Sequence, residues 1–493
     1  MNLPPSELIK MPEGKTLEFK RDLSSPKNIL KTLVAFANTA GGRLLIGVED
    51  KTREVIGVEN PLDEEERLCS LIADSIGPRL VPSVELITIK DKTLLTVEVY
   101  PSGSRPHFLK KEGFTDGVYV RLGSTNRKAD RELIAELQRS SSGISFDEMP
   151  MPDLSADALD IEAANTWFRG IRELHEQECV TLKLLTPVQG KFVPTNGGML
   201  LFGKNREYYF SDAWIQCGRF IGTDKAYIFD HTEIHAHLPD AVDKVIDFIK
   251  KHAMRGADFS EVRRKDVWSI PLSIVREAVI NAIVHADYSQ IGSPIRVAIY
   301  DDRVEIENPG ILLPGMTIED VRQGVSKIRN RVIARVFREI NLIEQWGSGF
   351  RRMMQEAEEQ HLPEPVIEEV GMKVRVTVFL VESISTEIPV SSAKDTEAHD
   401  TKHVTEQVTE HVTEQVRRLI LCLKENSLGR QDVMQCLGLS HRPTFLYDYL
   451  KPAIQGDLVE MTQPDSPKSP TQKYRLTETG RAVLVREHKG VDA

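Results

Sequence analysis

The sequence has 493 residues, 40% hydrophobic and 28% charged, a soluble globular balance that excludes wholesale disorder and leaves room for about three domains. Lys+Arg 63 against Asp+Glu 74 gives a net charge of −11, which excludes a uniformly basic nucleic-acid coat but not a local basic surface. No apolar run approaches the ~20 residues that cross a bilayer, and Met1–Lys10 has no signal-peptide core, so a cytoplasmic protein without a membrane partner is expected. The five cysteines, Cys69, Cys179, Cys217, Cys422 and Cys436, form no CxxC pair and predict neither a zinc knuckle nor a disulfide framework.

Residues 1–138 mix strands and helices. Helical spacing of Ile29, Leu30, Leu33, Val34, Phe36 and Ala37 predicts a helix over 26–39, broken by Gly41-Gly42 before the buried strand RLLIGVED. Further strands are expected at 84–90, 93–100 and 117–122, and a helix over 130–139. The Ser/Pro/Asp-rich stretch 139–158 reads as a connector. In 155–260, a region of unassigned role, 158–179 and 239–254 read as helices, and 198–203 and 213–222 as strands. His231, His235 and His237 cluster there, but a third metal ligand is not evident and they read as surface histidines. Residues 261–382 run helix, strand, strand, loop, helix, glycine turn, helix, strand. The stretch 382–402 has no apolar period and reads as a linker, and HVTEQVTEHVTEQV (403–416) puts valine at every fourth position. That repeat is either a solvated spacer or a helix that pairs with a second copy, making a homo-oligomer. Within a linker segment of 383–415, these lead into 416–486, where three short helices precede two strands in a winged-helix order. The whole is an α+β multidomain chain.

Three constellations carry chemistry. The helix PLSIVREAVINAIVHADY (271–288) sets Glu277 and Asn281 at i, i+4, on one face of an otherwise apolar helix. A carboxylate there can hold a water and an amide oxygen can ligate Mg²⁺. Glu305-Ile306-Glu307-Asn308-Pro309-Gly310 follows a strand. Gly347-Ser348-Gly349 opens a helix, offering backbone N–H groups to a phosphate, and Arg351 and Arg352 on its first turn can add charge. Each signal alone reads as well as a surface pair or a turn; their order is more specific. At the N-terminus, Glu13, Glu18 and Glu49 or Asp50 can gather as an acidic, metal-binding cluster, and Arg121, Ser124, Thr125, Asn126 and Arg127 are donors suited to phosphate. In the tail, Ser440 is placed to cap a recognition helix, and His441, Arg442, Lys451, Lys468, Lys473 and Arg475 are the groove contacts expected of a winged helix, although docking to a protein is the alternative.

The ordered signals in 261–382 resemble the Bergerat-fold ATPases of the GHKL superfamily, which includes gyrase, histidine kinases and MutL. REAVINAIVHADY is similar to the branch found at the C-terminus of RecG-like helicase-related proteins and transcriptional regulators. The resemblance implies ATP and Mg²⁺ as cofactors, Glu277 as general base or its relic, and Asn281 as the Mg²⁺ ligand. It also implies Asn308 and Gly310 beside adenine, and Gly347, Ser348 and Gly349 at the phosphates. Asn308-Pro309-Gly310 stands where other members use Asp-x-Gly, and a neutral amide accepts from the exocyclic amine without the charge a carboxylate brings. The run EFK…AFANTAGGRLLIGVED with YVRLGSTNRKAD (about residues 1–138) resembles the Schlafen-type AlbA_2 domain. That resemblance implies nucleic-acid binding and, through Glu13, Glu18 and Glu49 or Asp50, metal-dependent RNA cleavage. Together the two resemblances imply an ATP-binding, DNA-binding transcriptional regulator, with DNA, or RNA as the other option, as partner. The alternative is a Schlafen-like metal-dependent nuclease gated by ATP, with defence as its setting. No GxxxxGK[ST] motif is present, so a P-loop motor is not expected.

Overall fold

The computed structural model describes residues 4–50, 52–89, 91–258, 265–343, 349–381 and 383–384, and in the tail 414–424, 427–437, 445–450, 453–454, 458–462, 473–477 and 479–481. The chain divides into two compact units, Met1–Glu387 and Ile388–Ala493.

The first unit opens with strand β1 (Leu17–Lys20), helix α1 (Pro26–Asn38), strand β2 (Gly42–Ile46), helix α2 (Pro61–Ser75) and the hairpin β3 (Ser83–Ile89) and β4 (Lys92–Val99). Pro26 sits in the first turn of α1, where a missing N–H costs nothing, and Ile29, Leu33, Val34, Phe36 and Ala37 are buried. The strands make one sheet in the order β1-β2-β4-β3, with β1 parallel to β2 and the other pairs antiparallel. A second hairpin, β5 (Tyr119–Leu122) and β6 (Thr125–Lys128), leads to α3 (Arg131–Ser141), capped by the Asp130 carboxylate accepting from the Leu133 N–H at 2.8 Å.

The expected connector does more than connect. Just beyond α3, Asp147 is fully buried and accepts N–H bonds from Arg331 (3.1 Å), Val332 (2.6 Å) and Ile333 (3.0 Å), the start of a helix nearly two hundred positions on. Burial pushes its carboxyl pKa up to about 6. The 158–179 stretch is two helices, Ile161–Phe168 and Glu176–Thr181, rather than one. GMLLFG, expected as a strand, belongs instead to helix α4 (Asn196–Phe202), capped by the Thr195 hydroxyl at 3.0 Å. A short continuous apolar run reads the same in a buried strand and in a helix buried all round, and here every residue of α4 is buried.

The rest of the first unit forms one layered body from β7 (Ile215–Ile221), β8 (Tyr227–Ile234), α5 (Leu238–Ala253), α6 (Leu272–His285), β9 (Ile295–Ile299), β10 (Arg303–Pro309), α7 (Arg331–Glu339), α8 (Gly349–Glu359), β11 (Val366–Val370) and β12 (Lys373–Phe379). Its six-stranded sheet runs β8-β7-β9-β10-β12-β11, with β7 parallel to β9. The boundary expected at 260/261 therefore does not separate two sheets: β7 and β8 from the region of unassigned role extend the sheet of the later region, and one hydrophobic core runs from Leu159 to Leu380. Sequence spacing could not show this, because the joining pair, Ile215 with Ile295, is long-range. His231 lies on strand β8, and His235 just beyond it bonds Glu207 at 2.7 Å and stacks on Trp214.

The second unit has helices α9 (Glu414–Cys422) and α10 (Arg430–Cys436), a helical turn at Phe445–Leu450, and strands β13 (Val459–Met461) and β14 (Lys473–Leu476), to which Leu428–Gly429 adds a third short strand. Val416, Leu419, Phe445, Val459 and Tyr474 share its core. Against expectation, Cys422 and Cys436 are joined by a disulfide: the packing of α9 on α10 brings their Cα atoms to 6.1 Å, which separation by 14 positions in sequence did not reveal. Of the valine repeat only residues 414–416 are described, in α9; the rest of 403–416 and the linker 385–402 lie outside the described residues.

Candidate nucleotide cavity and nucleic-acid surface

α6 is buried along most of its length, so Glu277 and Asn281, one turn apart, need a polar setting. They face a cavity of about 310 Å³ lined by Glu277, Asn281, His285, Asn308, Gly349 and Arg352, together with the loop 311–316 and residues 324–329. The Asn281 Nδ2 donates to Glu277 Oε1 at 3.2 Å, which commits the amide nitrogen and leaves its oxygen for a cation. The Glu277 Oε2 accepts from an Arg352 guanidinium N–H at 2.9 Å. The sequence suggests Arg352 only as added charge near phosphate. In the structure it holds the carboxylate, so each Glu277 oxygen already accepts one hydrogen bond, from Asn281 and from Arg352.

Two glycines are required by the geometry. Gly310 has φ +99°, and a Cβ there would stand 2.9 Å from the Asp287 Cβ and 3.1 Å from the Arg329 guanidinium. At Gly349 a Cβ would run into the Glu277 carboxylate, so α8 begins with its backbone against the polar end of α6. Asn308 is buried on β10, and its amide N–H groups go to the carbonyls of His285 (3.4 Å) and Pro309 (3.2 Å). His285, partly buried at the end of α6, has its imidazole pushed down to about 4 by desolvation. Gly347 and Ser348 lie outside the described residues. The set of an amide oxygen, a held carboxylate, Lys327, Arg329 and close-approach glycines fits a nucleotide with its divalent cation: the cations and glycines suit phosphate, and the Asn281 oxygen suits Mg²⁺.

The N-terminal part packs against the loop that walls this cavity. Lys15, poorly exposed, pairs with Glu369 on β11 at 2.6 Å, and Glu369 also accepts the Leu312 N–H at 2.8 Å. The Gly315 N–H donates to the Thr39 carbonyl at 2.9 Å, and Ile311 packs with Val118, Val120 and Leu133. The loop 310–316 thus serves as a wall of the cavity on one side and a seat for the N-terminal part on the other. Lys15 and Glu369 carried no sequence signal, since an isolated lysine in PEGKTLEFK reads as solvated.

The phosphate-binding set divides. Arg121 is 1% exposed, paired with Glu18, donating to the Gly14 carbonyl (3.1 Å) and Asn126 Oδ1 (2.9 Å), and lying over the Phe36 ring. It is a buried structural arginine, not a phosphate contact: β5 is buried at Tyr119, Val120 and Arg121 alike. Asn126 follows it, bonding Thr32 at 2.9 Å. Ser124, Thr125 and Arg127 remain exposed around the turn. The acids do not assemble into a ligand set. Glu18 is held by Arg121 and Lys20, Glu49 pairs with Arg21 at 2.7 Å, and the Glu13 Oε1 accepts the Phe19 N–H at 2.8 Å. Burial, with Glu18 and Asp50 nearby, holds the Glu13 carboxyl above the usual range. Among the described residues no three His, Cys, Asp or Glu side chains are grouped to hold a metal ion. In the tail, His441, Arg442, Lys451 and Lys468 lie outside the described residues, and Arg475 on β14 pairs with Glu460 at 2.7 Å.

Comparisons with known proteins divide the chain in a similar way. Residues 13–130 match the family model Schlafen, AlbA_2; residues 292–378 match the one described as "Putative ATP-dependent DNA helicase recG C-terminal"; and residues 414–477 match "Filamentation induced by cAMP protein Fic-like, C-terminal domain". The solution structure of the N-terminal domain of a RecG-related protein from Nitrosomonas europaea is 32% identical, covering 25% of this chain and 89% of that one, with a TM-score of 0.21. The crystal structure of the DIP2311 protein from Corynebacterium diphtheriae is 20% identical over 96% of this chain and 94% of that one, with a TM-score of 0.40. A Fic family protein from Desulfovibrio desulfuricans is 17% identical over 71% and 77%, with a TM-score of 0.14. Among the described residues no helix is long and apolar enough to cross a membrane. The chain therefore carries a Schlafen AlbA_2 domain over residues 13–130, and its residues 292–378 are similar to the RecG C-terminal family model.

Proposed function

We propose that the chain is an ATP-responsive nucleic-acid-binding protein, a DNA-binding transcriptional regulator whose N-terminal domain and tail bind nucleic acid and whose 261–382 region binds ATP with Mg²⁺ in a Bergerat-type sandwich. The observation that supports it most is the gathering of Glu277, Asn281, Asn308 and Gly349 around one cavity whose wall, the loop 310–316, is shared with the N-terminal part. Nucleotide in the cavity would bias that loop, and through Thr39 and Lys15 the domain beside it. Bound Mg²⁺ supplies charge neutralisation at the phosphates, with Asn281 as its protein ligand. Arg352 and Asn281 hold the Glu277 carboxylate in place, and the reading is one of nucleotide binding rather than turnover.

The tail is read as a winged helix, from two helices and a helical turn followed by a small antiparallel sheet. Binding is also preferred over Schlafen-like cleavage, since Glu18 and Glu49 are paired with cations. Calorimetry with Mg²⁺ and ATP tests the centre of the proposal: Asn281→Ala should lose Mg²⁺-dependent binding, and unchanged binding in that variant overturns the assignment. Incubation with tRNA and DNA plus Mn²⁺ should leave both uncut. A gel shift comparing the full chain with one lacking 403–493 should show specific DNA binding lost from the latter.

A further inference from the structure

Next to the nucleotide cavity lies a larger one, about 630 Å³, on the seam between the N-terminal domain and the six-stranded body. Its charge is one-sided in a chain that is acidic overall. Arg105 and Arg139 line it from the N-terminal side, and Lys327, Arg329, Arg331, Arg335 and Arg338 from the other; among the described residues the only carboxylates on its lining are Glu136 and Asp287. Both are already engaged. Glu136 pairs with Arg329, and the Asp287 oxygens accept from the Ser289 hydroxyl (2.6 Å) and the Gln290 amide (3.2 Å). Arg331 also pairs with Glu148 at 3.5 Å, and the cations are still left in excess.

Two features point to a ligand. The Nε atoms of Arg105 and of Arg329, which is 7% exposed, are buried with no hydrogen-bond partner among the described residues. Desolvation holds the Arg105 and Arg139 guanidinium pKa values below the usual range and pushes Arg329 down to about 10, so their charge sits in a place that penalises it. A neighbouring anion would relieve that penalty. The spacing selects the kind of anion. Arg331, Arg335 and Arg338 stand at i, i+4 and i+7 on α7, one face of a helix, spanning about 10 Å. A row of cations that long suits a row of phosphates better than one terminal phosphate group. Among the described residues the one aromatic ring on the lining, Phe146, is already covered by the Arg139 guanidinium at 5.2 Å, so bases have no open stacking platform.

We infer that the seam cavity binds the phosphodiester backbone of a nucleic-acid strand, without reading its bases. This rests on the nucleic-acid half of the proposed function and adds a site that spans the two parts of the unit. Lys327, Arg329 and Arg338 line this cavity and the nucleotide cavity alike, so the two ligands share a wall of cations. Their binding is then coupled, and by the same factor in both directions.

The test uses the full chain and labelled single-stranded DNA, duplex DNA and RNA of mixed sequence, with anisotropy read between about 50 mM and 200 mM salt. The variant is Arg331→Gln/Arg335→Gln, since both side chains line the seam alone and neither lines the nucleotide cavity. Affinity should fall at least about tenfold for every sequence, and the salt slope should flatten by about 1 per arginine removed. ATP binding by calorimetry should be unchanged. Arg335→Gln alone, which keeps the Arg331 bond to the Gly143 carbonyl, should give half the change in slope and covers the case in which the double variant fails to fold. If the unaltered chain binds no nucleic acid at low salt, the nucleic-acid reading and this inference fall together. If the unaltered chain binds, Arg127→Ala weakens it, and the seam variants keep affinity and slope, the seam inference alone is overturned. Loss of ATP affinity with nucleic-acid binding intact overturns it as well, assigning the arginines to the nucleotide.

Discussion

The N-terminal turn and the nucleotide cavity are both marked by polar residues in an apolar setting, yet the molecule uses them in opposite ways. In the AlbA_2 domain the marked residues satisfy one another. Asn38 donates to the carbonyls of His107 and Tyr119 and accepts the His107 N–H, and Arg121 is consumed by Glu18, Gly14 and Asn126. Of the five donors in and around the turn, Ser124 and Arg127 are left for a ligand, since the Thr125 hydroxyl donates to the Leu122 carbonyl at 3.0 Å. On α6, by contrast, Glu277 and Asn281 meet each other and Arg352 and still border open space. A motif residue whose bonding capacity is filled from within its own domain holds the fold, whereas one with capacity left beside a cavity is available for binding.

That contrast is sharpest at Arg121. Replacing it with Ala leaves Glu18 buried without its main partner, and thermal or denaturant unfolding should show a loss of about 3–5 kcal/mol. A loss of nucleic-acid affinity with unchanged stability would instead return Arg121 to the binding surface. Gly349→Ala should rank second, costing about 1–3 kcal/mol through the collision with Glu277 and lowering nucleotide affinity about tenfold or more; calorimetry showing normal ATP binding would mean that α8 does not close the cavity.

His285 introduces a pH dependence. Its folded pKa, about 4, is below the ordinary 6.5, so the folded state binds fewer protons between those values. The stabilisation is present above about 6.5 and is lost as pH falls toward about 4. His285→Gln should flatten the stability profile across that window, and a profile identical to that of the unaltered protein would remove His285 as its source. The smallest effect belongs to Arg127. Its substitution by Ala should change stability by less than about 0.5 kcal/mol while reducing the salt slope of nucleic-acid binding by about 1. A full slope in that variant would leave the exposed turn without a binding role.

Local pattern was enough for several elements. The 26–39 helix, the strand after Gly41-Gly42, the paired β3 and β4, and the face shared by Glu277 and Asn281 all arise from periodicity, which acts between neighbours in the chain. It failed at GMLLFG, because a fully buried apolar run has no polar face to set its period, and at the 260/261 boundary, because β7 finds its partner eighty residues later. The residues of the candidate cavity could be named from order and spacing, but not their partners. Arg352 on Glu277, Lys15 on Glu369, Asp147 on the start of α7 and Cys422 on Cys436 each join positions that only packing brings together. Spacing along the chain determined which side chains share a face. Which of those faces meet, whether a charge lies inside or outside, and where seven cations gather around one cavity were decided by the tertiary structure, because desolvation and pairing depend on every element that surrounds a group and not on its neighbours in sequence.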